Sequence, residues 1–276
     1  MSDDYTIGFI GGGNMAGAIA RGLVAAGVAG PRIAVAEPAP ATRAALAAAL
    51  PGATVGADNA AVAAFADVLV LAVKPQVLAE VATALAPARR AGQVVVSVAA
   101  GVRLASLAGW LGAGTALVRA MPNQPALIGA GITALVGSPG LPPAAGARAE
   151  QVLAAAGRTV WLPDESLMDA VTAVSGSGPA YFYLLVELME RAGQALGLPA
   201  ELAAALARQT ALGAGRTLAE TGADPAALRA AVTSPGGTTA AALAEFERAD
   251  LAAIVTRALT AARDRGAELG RPPAPR

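Results

Sequence analysis

The sequence predicts an α/β protein in which a doubly wound parallel sheet is followed by an all-helical half. Three observations carry that prediction. Short β-rich runs alternate with alanine-rich helical stretches through the first half of the chain. Those runs are near-continuously apolar, as expected when helices cover both faces of a parallel sheet. After Pro163 the strands stop and only helical patterns follow.

In chain order, candidate strands are residues 6–10, 32–36, 68–73, 94–98, 116–120, 132–136 and 159–162. Helix-compatible stretches lie between them at 14–26, 39–50, 60–66, 76–86 and 104–111. This β-α-β rhythm is that of a doubly wound sheet. The second half reads as helices over 165–174, 179–196, 199–220, 225–232, 239–247 and 251–269. Pro179, Pro199 and Pro225 stand where a helix tolerates proline, in its first turn. Two domains follow, 1–163 and 164–276, with a proline-rich tail at 271–276 expected to fray. The helical half has no heptad run and is too apolar for a lone bundle, so a homodimer or higher homo-oligomer is expected.

Composition narrows the function. The 276 residues suffice for two domains of roughly 100–200 residues each. The chain is 55% hydrophobic with a mean hydropathy of +0.54, yet much of this is alanine. A membrane helix needs about 18 consecutive apolar residues. The run 68–73 is bracketed by Asp67 and Lys74, and 120–147 is broken by Asn123, Gln124, glycines and prolines. The acidic start Met1-Ser2-Asp3-Asp4 is unlike a secretory signal, so a soluble cytoplasmic protein is expected. Twenty basic and twenty acidic residues leave no net field for nucleic acid. No cysteine and no histidine exclude thiolate chemistry and the commonest metal ligand and general base. Chemistry must then rest on hydroxyls, carboxylates, lysine, backbone amides or a bound cofactor, with no metal.

The first constellation is Gly8-Phe9-Ile10-Gly11-Gly12-Gly13-Asn14-Met15-Ala16-Gly17. It follows a strand and opens a helix, the context that gives a G-x-G-x-x-G/A match its meaning as a dinucleotide site of Rossmann type. Gly11 allows the tight turn, Gly13 lets a pyrophosphate approach the backbone, and Ala16 permits close helix–strand packing. The anion would sit on free amides at the helix N-terminus. The competing reading is a flexible turn in a chain with 32 glycines. Glu37 ends the second strand, where an acidic residue takes the ribose hydroxyls of NAD and repels the 2′-phosphate of NADP unless a cation such as Arg43 compensates. It reads equally well as a loop glutamate. Lys74-Pro75 follows a strand at the sheet edge where ligands bind. Asn59, ahead of a helix, reads as a ligand or as a cap. Ala99-Ala100-Gly101 would leave room for a nicotinamide ring, and 121–125 (Met-Pro-Asn-Gln-Pro) forms a fourth edge loop.

In the helical half, Val232-Thr233-Ser234-Pro235-Gly236-Gly237-Thr238-Thr239 breaks one helix and starts another. Such a turn exposes amides and hydroxyls at a helix N-terminus, a site for a carboxylate, or is simply a capped interhelical connection. Ser175-Gly176-Ser177-Gly178-Pro179-Ala180-Tyr181 reads as a close-packing kink.

Together with Ala72-Val73-Lys74-Pro75 and Asp169-Ala170-Val171-Thr172, these segments resemble pyrroline-5-carboxylate reductase from Ile7 to about Leu259. The Ser-Pro-Gly-Gly-Thr-Thr segment is the most specific of them. The resemblance implies NAD(P)H-dependent reduction of a cyclic imine to L-proline, the last step of proline biosynthesis, and a dimerisation role for the helical domain. It implies that Ile10, Gly11, Gly12, Gly13, Asn14, Met15, Glu37, Asn59, Ala72, Val73, Lys74 and Pro75 line the cofactor. Glu165, Ser234, Thr238 and Thr239 would hold the substrate, with Thr239 as the catalytic hydroxyl on the ring nitrogen. The resemblance implies NADPH, which the family generally prefers; Glu37 is a departure that leaves NAD possible. Some members carry asparagine where this chain has Ala231. A cyclic imine is basic enough to be reduced as its iminium, which suits a chain without histidine. The alternatives are a β-hydroxyacid dehydrogenase or related imine reductase on the same plan, or a non-catalytic dinucleotide-sensing regulator. The first needs a lysine on the first long helix of the second domain, and 179–196 has none. The second needs a partner-binding module, and none is visible.

Overall fold

The computed structural model describes residues 5–270, so the acidic start and the tail expected to fray lie outside the described residues. Eight strands form one sheet: β1 (Ile7–Ile10), β2 (Ile33–Ala36), β3 (Thr54–Gly56), β4 (Val68–Leu71), β5 (Val94–Ser97), β6 (Ala116–Met121), β7 (Gly131–Gly137) and β8 (Gly157–Trp161). Their spatial order is β3-β2-β1-β4-β5-β6-β7-β8. The chain therefore leaves β1 toward one edge and returns to pair β4 on its other side. That reversal is the switch point beside which open α/β sheets bind ligands.

β1, β2, β4 and β5 are buried at every position. Successive residues of β4 belong to opposite faces: Val68 and Val70 join one core, Leu69 and Leu71 the other. The first core is closed by α1 (Asn14–Ala25) and α6 (Pro143–Ala154) through Ile19, Leu23, Val152 and Leu153. Helices α3 (Asn59–Phe65), α4 (Pro75–Leu85) and α5 (Leu104–Leu111) close the second through Val62, Leu78, Leu85 and Leu107. Each such side chain contributes about 1.5–3 kcal/mol by leaving water. Between β2 and β3, α2 (Pro40–Ala49) buries only Leu46.

Three features differ from the sequence expectation. β3 is an added edge strand, three residues long and only partly covered. α6 is an added helix, entered through Pro142 and Pro143. The sheet is also not wholly parallel, since β7 runs antiparallel to β6 while β8 runs parallel to β7. The connection 122–130 is shorter than the dozen or so residues a parallel crossover needs. It turns back through a 3-10 segment, Gln124–Ile128, ending at Gly129 with φ 72°.

Beyond β8 no strand follows among the described residues. A 3-10 turn (Glu165–Leu167), α7 (Met168–Val171) and a π-helical turn (Thr172–Gly176) lead to α8 (Gly178–Ala195), α9 (Ala200–Thr221), α10 (Pro225–Ala231), α11 (Thr238–Arg248) and α12 (Leu251–Leu269). By contact, one compact unit comprises the chain up to Gly176 with the stretch from Ala262, and the other is Ser177–Ala261. Within the second unit α8 packs on α9, with Glu190 paired to Arg208. Yet α8 leaves Phe182, Tyr183, Leu184 and Leu185 exposed. No helix among the described residues is long and apolar enough to cross a membrane.

Candidate active site

The glycine turn connects β1 to α1 at the C-terminal edge of the sheet. Gly11 has φ 91°, and a Cβ there would lie 2.9 Å from the Ala72 carbonyl oxygen and 3.0 Å from Val73 Cγ1. The turn and the edge after β4 are thus in contact, and only glycine fits between them. A Cβ on Gly12 would lie 2.4 Å from Leu46 Cδ1. At Gly13 the same carbon meets nothing within 4 Å, so its backbone faces open space. No side chain caps α1 and its first turn holds no acidic residue, which leaves its leading amides for an outside anion. Ala16 is buried, consistent with close packing of α1 on the sheet. Asn14 and Met15 open the helix directly behind Gly13. These features fit a dinucleotide pyrophosphate.

Glu37 joins the turn directly. The Gly12 N–H donates to Glu37 Oε2 at 2.8 Å and the Ala39 N–H to Oε1 at 2.9 Å. Arg43 donates to the Glu37 and Pro38 carbonyls. Glu37 is therefore no free loop glutamate but a carboxylate fixed beside the glycine turn, with a guanidinium at its back. Lys74 stands at the N-cap position of α4, its side chain exposed, and Pro75 opens that helix. Asn59 is not the cap of α3: Asp58 accepts the Ala60 and Ala61 N–H groups instead. Asn59 is the first helical residue and half-buried.

Two edge loops have structural tasks the sequence did not reveal. A Cβ on Gly101 would touch Leu269 and Gly270 at 3.4–3.5 Å, so that loop backs onto the end of α12. Asn123 is a clip: its Oδ1 accepts from the Ile132 N–H and its Nδ2 donates to the Ser175 carbonyl. Gly176 lies where a Cβ would strike Met121 Cε at 2.5 Å, which is the close packing expected of that segment.

Arg119, which the sequence reading did not single out, partners the candidate site residue Glu165. It is buried within β6 and pairs with Glu165 Oε1 at 2.8 Å, with Asp169 at 4.0 Å. Glu165 Oε1 also accepts the Leu104 N–H, tying the start of α5 to this pair. The available signal was a lone arginine in an otherwise apolar strand, since a buried charge requires a partner.

In the second unit, Ser234, Thr238 and Thr239 are brought onto one turn. Gly236 takes φ 70°, and the Gly237 N–H donates back to the Ser234 carbonyl. Gly237 packs closely on Ser234: a Cβ there would lie 2.4 Å from Ser234 Oγ and would turn that hydroxyl aside. α11 then begins with no side-chain cap and no acidic residue in its first turn. Ser234 and Thr238 are exposed and Thr239 half-buried. The uncapped start of α11 thus has hydroxyls beside its leading amides, an arrangement that suits an anion.

Residues 165–269 match the family model described as pyrroline-5-carboxylate reductase dimerisation. Residues 6–101 match the model described as NADP oxidoreductase, coenzyme F420-dependent. A pyrroline-5-carboxylate reductase of Pseudomonas aeruginosa is 47% identical over 263 residues, spanning 95% of this chain and 96% of the relative. The solved structure of a Coxiella burnetii pyrroline-5-carboxylate reductase aligns with a TM-score of 0.93 at 38% identity, over 98% of this chain and 100% of that one. A Plasmodium falciparum pyrroline carboxylate reductase with NADP bound aligns with a TM-score of 0.85 at 26% identity, over 97% and 99%.

Proposed function

Because the chain belongs to the pyrroline-5-carboxylate reductase family, and reduces 1-pyrroline-5-carboxylate to L-proline with a nicotinamide cofactor, we propose the following division of labour among its residues. When bound, the cofactor supplies the hydride. Ile10–Met15 hold its pyrophosphate on open backbone, and Glu37, Asn59 and Ala72–Pro75 line it. The Gly13 backbone facing open space is the observation that carries this assignment.

The substrate carboxylate lies on the uncapped start of α11, held by Ser234 and Thr238. Thr239 places its hydroxyl on the ring nitrogen. That nitrogen is basic enough for a weak acid to suffice, so the protein's contribution is mainly positioning. Glu165 has Oε1 committed to Arg119 and the Leu104 N–H, which leaves Oε2 for the substrate.

Glu37 sets the cofactor choice. Its fixed carboxylate repels a 2′-phosphate and Arg43 offsets that only in part, so NADH serves beside NADPH. The exposed face of α8 marks a homodimer interface, and the enzyme works in the cytoplasm. The direct test is oxidation of NADPH and NADH followed with pyrroline-5-carboxylate, for the wild type and for Thr239→Ala. Turnover by the wild type that Thr239→Ala does not slow would overturn the assignment of Thr239 while leaving the activity standing.

A further inference from the structure

The glycine turn occupies the C-terminal edge of the sheet, and the opposite edge carries a second depression of about 880 Å³. It opens where β5 and β6 begin and β7 ends, and the start of α6 forms one wall. Arg89, Arg90 and Arg148 line it together with Gln93, Thr115 and Ser138, and no carboxylate does. Arg90 is neutralised by Asp67 behind the wall. Arg148 lies in the field of the same Asp67 and over the Tyr5 ring, whereas Arg89 has no carboxylate partner among the described residues. Arg89 donates to Thr115 Oγ1 at 2.8 Å and to the Leu111 carbonyl, both uncharged acceptors. Burial pushes its pKa down, the mark of a cation without compensation.

Behind the lining two polar atoms are buried and unbonded, the donor Arg89 Nε and the acceptor Gln93 Oε1. Gln93 is 4% exposed, and its Nε2 is already spent on the Ala63 and Ala66 carbonyls. Its oxygen therefore lacks an O–H or N–H donor. The start of α6 offers the depression little beyond the Ala144 N–H, since Pro142 and Pro143 carry none and the Ala145 and Gly146 amides go to the Pro142 carbonyl; Arg148 lies on its second turn. The volume lies in the range of ligand sites, roughly 300–1,000 Å³, and is far larger than a lone inorganic anion requires.

We propose that this depression binds a phosphorylated, hydroxyl-bearing metabolite of sugar-phosphate or nucleotide class, at a site separate from the cofactor cleft. The phosphate meets Arg89 and Arg148, whose planar guanidinium groups match its oxygens. A hydroxyl of the same ligand meets Thr115 and Ser138, the hydroxyl-bearing residues of the lining.

The test is calorimetric titration of ribose 5-phosphate, and separately of inorganic phosphate, into protein saturated with NADP⁺. Saturation closes the glycine turn to phosphate. One ribose 5-phosphate per chain is expected, at least tenfold tighter than inorganic phosphate. Arg148→Glu, an exposed substitution on α6, is expected to weaken it at least tenfold with unchanged turnover. Ser138→Asp is expected to do the same from the opposite wall, whereas Arg158→Glu, the same charge change outside the depression, is not. The proposal is overturned by no heat beyond dilution, by equal affinity for the two probes, or by equal loss in Arg148→Glu and Arg158→Glu.

Discussion

Gly13 differs from the two glycines before it in what a side chain would meet. An added carbon strikes protein at Gly11 and Gly12 but open space at Gly13. Gly13→Val should therefore fold with little change in Tm, while cofactor Kd rises at least a hundredfold, because the new side chain fills the pyrophosphate position. Unchanged cofactor binding in the folded variant would remove the turn from the site. Glu37→Ser deletes the charge but also the acceptor of the Gly12 N–H. The ratio of kcat/KM for NADPH over NADH should rise as the like-charge repulsion disappears. A constant ratio places Glu37 away from the ribose. In the turn before α11, Thr239→Ala should lower kcat and kcat/KM together by about tenfold to a hundredfold, the loss of one hydrogen bond of roughly 1–3 kcal/mol made to the reacting nitrogen. Ser234→Ala should chiefly raise the substrate KM, since a carboxylate is held equally before and during hydride transfer.

Between elements, the clip at the start of the sheet is the most exposed to pH. Asp67 ahead of β4 accepts the Thr6 N–H and hydroxyl and pairs with Arg90. Burial pushes the Asp67 carboxyl up, but the Thr6 bonds and the positive charges of Arg90 and Arg148 outweigh it and hold the pKa below its usual value. A carboxyl depressed on folding contributes stability above its unfolded pKa of about 3.9, and that stability is lost as pH falls through the folded value. Asp67→Asn should then cost on the order of 1 kcal/mol at pH 7, given the partial exposure of both partners. Its deficit in urea unfolding should shrink below about pH 4. A deficit independent of pH would mean the carboxylate charge does nothing there. The same elements show what the sequence reveals. Apolar runs betrayed β1, β2, β4 and β5 because both their faces are buried, and prolines and glycines marked most helix starts in the second half. β3 escaped because an edge strand of three half-covered residues carries no pattern. α6 escaped because Pro142 and Pro143 read as a loop, although Ala145, Ala149, Val152 and Leu153 repeat at helical spacing. The glycine turn and the turn before α11 are local and were legible. The Arg119–Glu165 pair joins residues 46 apart in sequence, a contact no local motif records.

At the scale of the whole molecule, the decisive quantity is apolar surface left without cover. Phe182, Tyr183, Leu184 and Leu185 on α8 are each 48–68% exposed. Among the described residues of the second unit, burial is complete only at small side chains such as Gly178, Ala203 and Ala207. Four consecutive helical residues point nearly all round α8, and apolar surface uncovered to that extent marks an association surface; the dimerisation model matched over residues 165–269 covers it. Two chains burying this surface would each gain the stabilisation that its own second unit lacks. Folding and association are then linked, so Tm should rise with protein concentration over the micromolar range. Sedimentation should give a mass of at least two chains. Leu184→Glu with Leu188→Glu places two charges on that surface and should yield a monomer of lower Tm and much reduced turnover, even though neither residue belongs to the cofactor or substrate turns. A wild type that sediments as a monomer at micromolar concentration with full activity, and whose Tm ignores concentration, would show that α8 stays exposed to water in the working enzyme.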